Sequence, residues 1–161
     1  MHDLVMTLAG WLESTPWGAF ARESNWGYPF VQLTHFTGLS LWLGTTFALD
    51  LRLLGFGSRR ATPAKVAEEL FVWNWIGFAI VLAGGFWLFS ALARSFVDNL
   101  AFQWKLGLFV PLALIWHVVV QQRARQWGEK HEAPTVGKLA ALGEILLWIC
   151  VVAAAVSQRD Y

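Results

Sequence analysis

Charge is scarce in this sequence. Of 161 residues only 14% are Asp, Glu, Lys or Arg, and the formal net charge is +1. Soluble domains carry about 25% charged residues, and nucleic-acid binders carry a basic footprint. The chain has neither, which excludes a soluble globular domain, a disordered chain and a nucleic-acid partner. Cysteine is nearly missing too: Cys150 stands alone, so neither an internal disulfide nor a cysteine metal site can form. Its neighbours Leu146, Leu147, Trp148, Ile149, Val151 and Val152 make it one more apolar residue. There is no glycine-rich phosphate loop and no histidine–glutamate zinc helix. Met1 to Leu12 lacks the basic start and small-residue cleavage site of a signal peptide.

What the chain has in abundance is apolar and aromatic surface. Hydrophobic residues make up 57%, aromatics 16%, tryptophans number eleven, and the mean hydropathy is +0.48. Lipid is the environment that suits this. A membrane helix needs about 20 mostly apolar residues, and four stretches qualify: 29–54, 70–93, 101–120 and 138–156. Pro29 suits a first helical turn, Gly55 and Gly57 suit a C-terminal cap, and Gly128 and Pro134 break the last connection. The expected fold is all-α, a transmembrane four-helix up-down-up-down bundle over residues 29–161. Residues 1–28 precede it as an amphipathic interfacial segment, with Leu4, Leu8, Trp11 and Leu12 on one face. Trp11, Trp17, Trp26, Trp104 and Trp127 fall near predicted edges, where tryptophan is favoured.

Lys and Arg counts set the expected orientation. Arg52, Arg59, Arg60 and Lys65 lie in or beside one long loop, and Arg123, Arg125, Lys130 and Lys138 in or beside the other. The opposite side has Arg22, Arg94, Lys105 and Arg159. Both long loops are therefore expected in the cytoplasm and both termini outside, in a bacterial inner membrane. Gly38, Gly44, Gly77, Ala83, Gly84 and Gly85 would let helices approach closely. Pro111, which crowds the carbonyl of Gly107, predicts a kink in the third helix.

Ionisable groups within membrane helices are costly and mark candidate functional sites. Depth divides them. At 1.5 Å per residue, His35 lies roughly 9 Å and Lys105 roughly 6 Å inside the outer ends of their helices. Asp50, Arg52, Asn74, His117 and Glu144 lie roughly 4–9 Å from the cytoplasmic ends, one inner cluster fed by every helix. Helical phase puts His35, Gly38, Trp42, Thr46, Leu49 and Asp50 in one sector. Lys105 and His117 fall on different faces unless the proline kink rotates them. The plainest account of the inner set is a paired network, Asp50 or Glu144 with Arg52, and His117 bonded to Asn74 or a carbonyl. Its functional account is a relay for protons or a small solute through Asp50, His117 and Glu144. His2 and His131 lie in surface segments and read as solvated.

The outer pair suggests a cofactor. Histidine commonly holds haem iron, and bundles build cofactor sites from facing helices. His35 and His117 differ in depth by roughly 15 Å, too far for one bis-histidine haem. A haem b with His35 as axial ligand, lined by Lys105, Gly38 and Trp42, passes this test. The leading expectation is a redox subunit with that haem near the outer face. Its partners would be the lipid bilayer, a periplasmic or membrane redox partner, and a second copy of the chain as homo-oligomer.

Several strings carry a resemblance. They are Glu23-Ser24-Asn25-Trp26-Gly27-Tyr28-Pro29, His35-Phe36-Thr37-Gly38-Leu39, Asp50-Leu51-Arg52-Leu53-Leu54-Gly55 and Phe102-Gln103-Trp104-Lys105, with Trp116-His117. With these the chain resembles a family of small four-helix bacterial inner-membrane proteins of unassigned function. The resemblance implies the fold and points to His35, Asp50, Arg52, Lys105 and His117. It departs at Ser157-Gln158-Arg159-Asp160-Tyr161, where relatives close on glycine–arginine–aromatic. The chain is also distantly similar to four-helix b-type cytochromes and copper-export membrane domains, an analogy of fold alone.

Overall fold

The computed structural model describes residues 2–57, 61–126 and 132–157. Arg59, Arg60, Trp127, Gly128, Lys130, His131 and the residues after Ser157 lie outside them. Among the described residues the chain is all-helical. The elements are α1 (His2–Ser14), α2 (Pro16–Glu23), α3 (Gly27–Leu54), α4 (Pro63–Ala91), α5 (Ala93–Asp98), α6 (Leu100–Trp104), a π-helical turn (Lys105–Phe109), α7 (Val110–Gln126) and α8 (Thr135–Val156).

Helix ends follow local chemistry. Thr15, Thr62 and Asn99 each place a side-chain oxygen on an early backbone N–H of the next helix, and Pro16 and Pro63 fill first-turn positions. Gly55 ends α3 at φ 97°, where its N–H bonds the Arg52 carbonyl and that of Phe56 bonds Leu51. This paired closure needs a left-handed residue, which glycine supplies without a Cβ clash. Pro111 acts through the turn before it. The Val110 N–H bonds the carbonyl of Lys105, five residues back, so the strain of the proline is taken up as a π turn. One extra residue per turn also rotates the helical phase by about 100° between Lys105 and His117.

Three helical stretches are long and apolar enough to cross a membrane: Pro63–Ala91, Leu100–Gln126 and Thr135–Val156. They make the chain a membrane protein by length and composition. Their outward faces carry large apolar side chains such as Leu82, Phe86, Ile115, Leu139 and Ile149, which suit lipid. The 28-residue α3 falls outside this set. Its Gln32, Thr34, His35, Thr37, Thr45, Thr46, Asp50 and Arg52 lower its hydropathy. Thr34, Thr37 and Thr45 return their hydroxyls to carbonyls one turn back.

The tightest seam joins α3 and α4. A Cβ on Gly38 would lie 2.4 Å from the Val81 nitrogen, one on Gly77 2.6 Å from that of Trp42, and one on Gly84 2.8 Å from His35 Cα. As numbers rise along α3 they fall along α4, so the pair is antiparallel. Gly44 meets nothing within 4 Å and takes no part in the seam. The α4–α7 pair is antiparallel as well, with the Arg125 guanidinium over Phe71 and Gln121 on Trp75.

The first 28 residues form two helices and a turn into α3 where one interfacial helix is expected. This hairpin is fastened to the far end of α4 and α5. Trp87 Nε1–H donates to the Trp17 carbonyl at 2.8 Å, Arg22 to that of Ala91 at 3.4 Å, and the Arg94 N–H to Glu13 at 2.9 Å. Its other side leaves Leu4, Leu8, Trp11 and Trp26 exposed.

Candidate functional site

Two apolar layers stack inside the helices, with a polar layer between them. The aliphatic layer holds Leu49, Leu53, Ala67, Val120, Ala124 and Ala141. The aromatic layer is built on Trp42, Ala113 and Trp148, with Trp75 and Phe78 against it. Each helix passes from one layer to the other and contributes its polar residue on the way: Thr46 and Asp50 from α3, Asn74 from α4, His117 and Gln121 from α7, Glu144 from α8. Asp50 is fully buried, and Asn74, His117 and Glu144 are each 1% exposed.

These residues form one chain of contacts. His117 Nδ1 lies 2.5 Å from Glu144 Oε1, and its Nε2 lies 2.9 Å from Asn74 Oδ1. The Asn74 amide donates to Thr45 Oγ1 at 2.9 Å, Thr46 Oγ1 at 3.0 Å and the Trp42 carbonyl at 3.3 Å. Gln121 Nε2 reaches Asn74 Oδ1 at 3.5 Å, and Trp75 Nε1–H donates to Gln121 Oε1 at 3.1 Å. On the acid side, Asp50 stands within Coulombic reach of Glu144. Neither Asp50 oxygen has a hydrogen-bond partner among the described residues, and the buried indole N–H groups of Trp42 and Trp148 also lack an acceptor there. The Trp42 ring packs on His117 with centroids 4.6 Å apart.

Arg52 does not join this chain. Its Nε donates to the Ala61 carbonyl at 2.8 Å, toward the α3–α4 connection. Residues two apart on a helix do not face one another, so Asp50 looks inward to Glu144 while Arg52 looks along the loop. The expected pairing of Asp50 or Glu144 with Arg52 is replaced by Asp50–Glu144–His117. Thr46 was placed by phase alone and Gln121 not at all. Both are uncharged, and a search for ionisable residues passes over them.

The outer residues lie elsewhere. His35 is half-buried on α3 with its ring over Gly85, and its Nδ1 lies 2.9 Å from the Val81 carbonyl. Lys105 stands within Coulombic reach of His35 and over the Phe102 ring at 5.0 Å. Gly38 meets the backbone of Ile80 and Val81, so α4 occupies the place that a haem lined by Gly38 would need. Trp42 belongs to the aromatic layer with His117 rather than to the surroundings of His35. His2 is exposed and pairs with Asp98 at 3.1 Å. Among the described residues, His, Cys, Asp and Glu form no group of three that could hold a metal ion.

No curated protein and no solved structure matches the chain, so the distant likeness to b-type cytochromes and copper-export domains has no support. One family model does match, over residues 10–158, and it is described as a family of unknown function. That span takes in α2 to α8 and every residue of the buried polar layer, and the chain belongs to this family, DUF6644.

Proposed function

We propose that the chain is a four-helix, up-down-up-down protein of the bacterial inner membrane whose buried Asp50–Glu144–His117 unit binds and releases protons. Of proton or small-solute binding and translocation, the buried unit favours proton binding. The observation that carries this reading is a pair of buried acids, Asp50 within Coulombic reach of Glu144, continued by His117 on Glu144. A network that serves only as glue closes its polar atoms. Here two buried acids face one another and no group among the described residues hydrogen-bonds Asp50. Like charges so placed disfavour one another, so the pair can hold a proton. Asp50, Glu144 and His117 together can therefore change proton number while the helices stay packed. Antiparallel α3–α4 and α4–α7 contacts support the bundle, and the apolar outward faces support the bilayer.

Infrared difference spectra of the protein in lipid, recorded between acidic and alkaline buffer, test this. The protonated-carboxyl band is expected to change with pH, to weaken in Asp50→Asn and to weaken again in Asp50→Asn/Glu144→Gln. A pH difference spectrum with no carboxyl change, or one identical in wild type and both variants, overturns the reading.

Haem b on His35 keeps one observation in its favour, although α4 fills the space beside Gly38 and Trp42 lies in the aromatic layer. A backbone carbonyl only accepts, so His35 Nδ1 carries the hydrogen toward Val81 and leaves Nε2 as the lone-pair atom of the neutral ring. That is the tautomer an iron ligand needs. A Soret band lost in His35→Ala supports it, and colourless folded protein from haem-replete cells removes it.

A further inference from the structure

Hydrogen-bond polarity inside the buried layer can be worked out from groups whose role is fixed by chemistry. The indole N–H of Trp75 only donates, so the Gln121 atom it meets is the carbonyl oxygen, and Gln121 turns its NH₂ toward Asn74. From the other side, Thr45 gives its single hydroxyl hydrogen to the carbonyls of Leu41 and Trp42. Its oxygen can then only accept from Asn74. The Trp42 carbonyl, a second contact of that Asn74 atom, also only accepts. Both lines of evidence put the Asn74 NH₂ against α3 and its Oδ1 against α7. The amide cannot flip without facing acceptors with an acceptor.

We infer that the network is closed at its His117 end: Asn74, held in one orientation by Thr45, the Trp42 carbonyl and Gln121, keeps His117 Nε2 protonated, and protons enter and leave only from the acid side. This deepens the proton-binding reading and rests on it. His117 Nε2 meets an oxygen with no hydrogen to return, so a proton released there would have no replacement. The one exchange open to the ring is at Nδ1. A proton on Glu144 Oε1 passes to His117 Nδ1, giving carboxylate and imidazolium, and the reverse step restores a neutral acid and a neutral ring. Beyond His117 the Trp42, Trp75 and Phe78 rings close the path. The opposite side is the aliphatic layer of Leu49, Leu53, Ala67, Val120, Ala124 and Ala141.

Titratable groups face His117 from α8 (Glu144) and, through Glu144, from α3 (Asp50), while α4 offers Asn74 alone. The nearby cations are engaged elsewhere, Arg52 on the Ala61 carbonyl and Arg125 on the Phe71 ring. Asn74 is thus a positioning residue. It turns a would-be wire into a store filled and emptied from one side, which holds protons in a membrane without leaking them across it.

Solid-state ¹⁵N NMR of histidine-labelled protein in lipid vesicles reads this directly, with the four histidines assigned by single replacement. His117 Nε2 is expected to carry hydrogen at every pH at which the protein stays folded, while the Nδ1 signal shifts as the acid pair titrates. In Asn74→Asp, where the new oxygen can take up and return a proton, Nε2 is expected to lose its constant hydrogen. If that variant does not fold, the wild-type spectrum still decides. A wild-type His117 with bare Nε2 at any pH overturns the inference. So does a proton leak through wild-type vesicles under an imposed voltage that Glu144→Gln abolishes, since a closed store leaks no more than empty vesicles. Carboxyl bands that answer to pH beside a bare Nε2 overturn only the closed end. Carboxyl bands that ignore pH overturn the proton-binding reading itself.

Discussion

Two side chains decide how the buried layer is held together. Glu144 and His117 meet at 2.5 Å with 1% exposure each, and removing one member of such a pair strands the other in a medium that cannot solvate it. The cost is about 3–5 kcal/mol for either single loss. Glu144→Gln and His117→Gln are each expected to lower the thermal midpoint in detergent strongly. The double variant should lose less than the sum, with a coupling of about 0.5–3 kcal/mol. Asp50→Asn and Arg52→Gln form the contrasting set. Arg52 serves the Ala61 carbonyl and Asp50 faces Glu144, so these two losses should add to within about 0.5 kcal/mol. Recovery of stability in that double variant would mean that Asp50 and Arg52 are paired after all. At this scale the sequence was legible wherever an ionisable or amide side chain interrupted an apolar run. Asp50, Asn74, His117 and Glu144 could be singled out from their neighbours, but their partners could not. Partner choice depends on the direction in which each side chain leaves its helix.

Between α3 and α4 the separation is set by glycines whose missing Cβ is replaced by the other helix's backbone. Membrane helices gain little from hydrophobicity when they associate, so close packing and interhelical hydrogen bonds carry the seam. The Asn74–Thr45 and Asn74–Thr46 bonds exist because Gly77, three residues on, lets the backbones approach. Gly77→Ala sets a methyl 2.6 Å from the Trp42 nitrogen. Backbone cannot yield as a flexible side chain can, so overpacking of about 1–3 kcal/mol is expected. Gly44→Ala, with open space at the same distance scale, should leave the midpoint unchanged or slightly raised. Equal losses at the two positions would show that the seam does not depend on glycine. Small residues were readable in the sequence as a class, but which of them lay on the seam was not, because Gly44 and Gly38 share a composition and differ in facing. Helix existence was legible from apolar length. The π turn was not: Pro111 announces strain, and whether the helix kinks or widens depends on neighbours that the sequence does not order in space.

Across the whole molecule the two ends differ in charge and in construction. One end carries the α3–α4 and α7–α8 connections with eight Lys and Arg residues in or beside them, and the other carries the N-terminal hairpin with four on its side. Positive charge resists transfer across the inner membrane, and short flanks dominate that bias. The hairpin adds to the asymmetry. Trp17, Arg22 and Glu13 tie it to the far end of α4 and α5, and its exposed Leu4, Leu8, Trp11 and Trp26 suit the boundary between headgroups and acyl chains. Asp50 lies toward the basic end, one turn before the Gly55 cap, so the open end of the proton store would face the cytoplasm. Alkaline phosphatase joined after Tyr161 is expected to be active, and the same enzyme inserted near Pro63 inactive, with a cytoplasmic reporter giving the opposite pattern. Reversed activities would turn the molecule over and load the Asp50 site from outside. Activity of both fusions on one side would mean an odd number of crossings between Pro63 and Tyr161 is wrong, leaving one of the three apolar helices lying along the surface instead of through the bilayer.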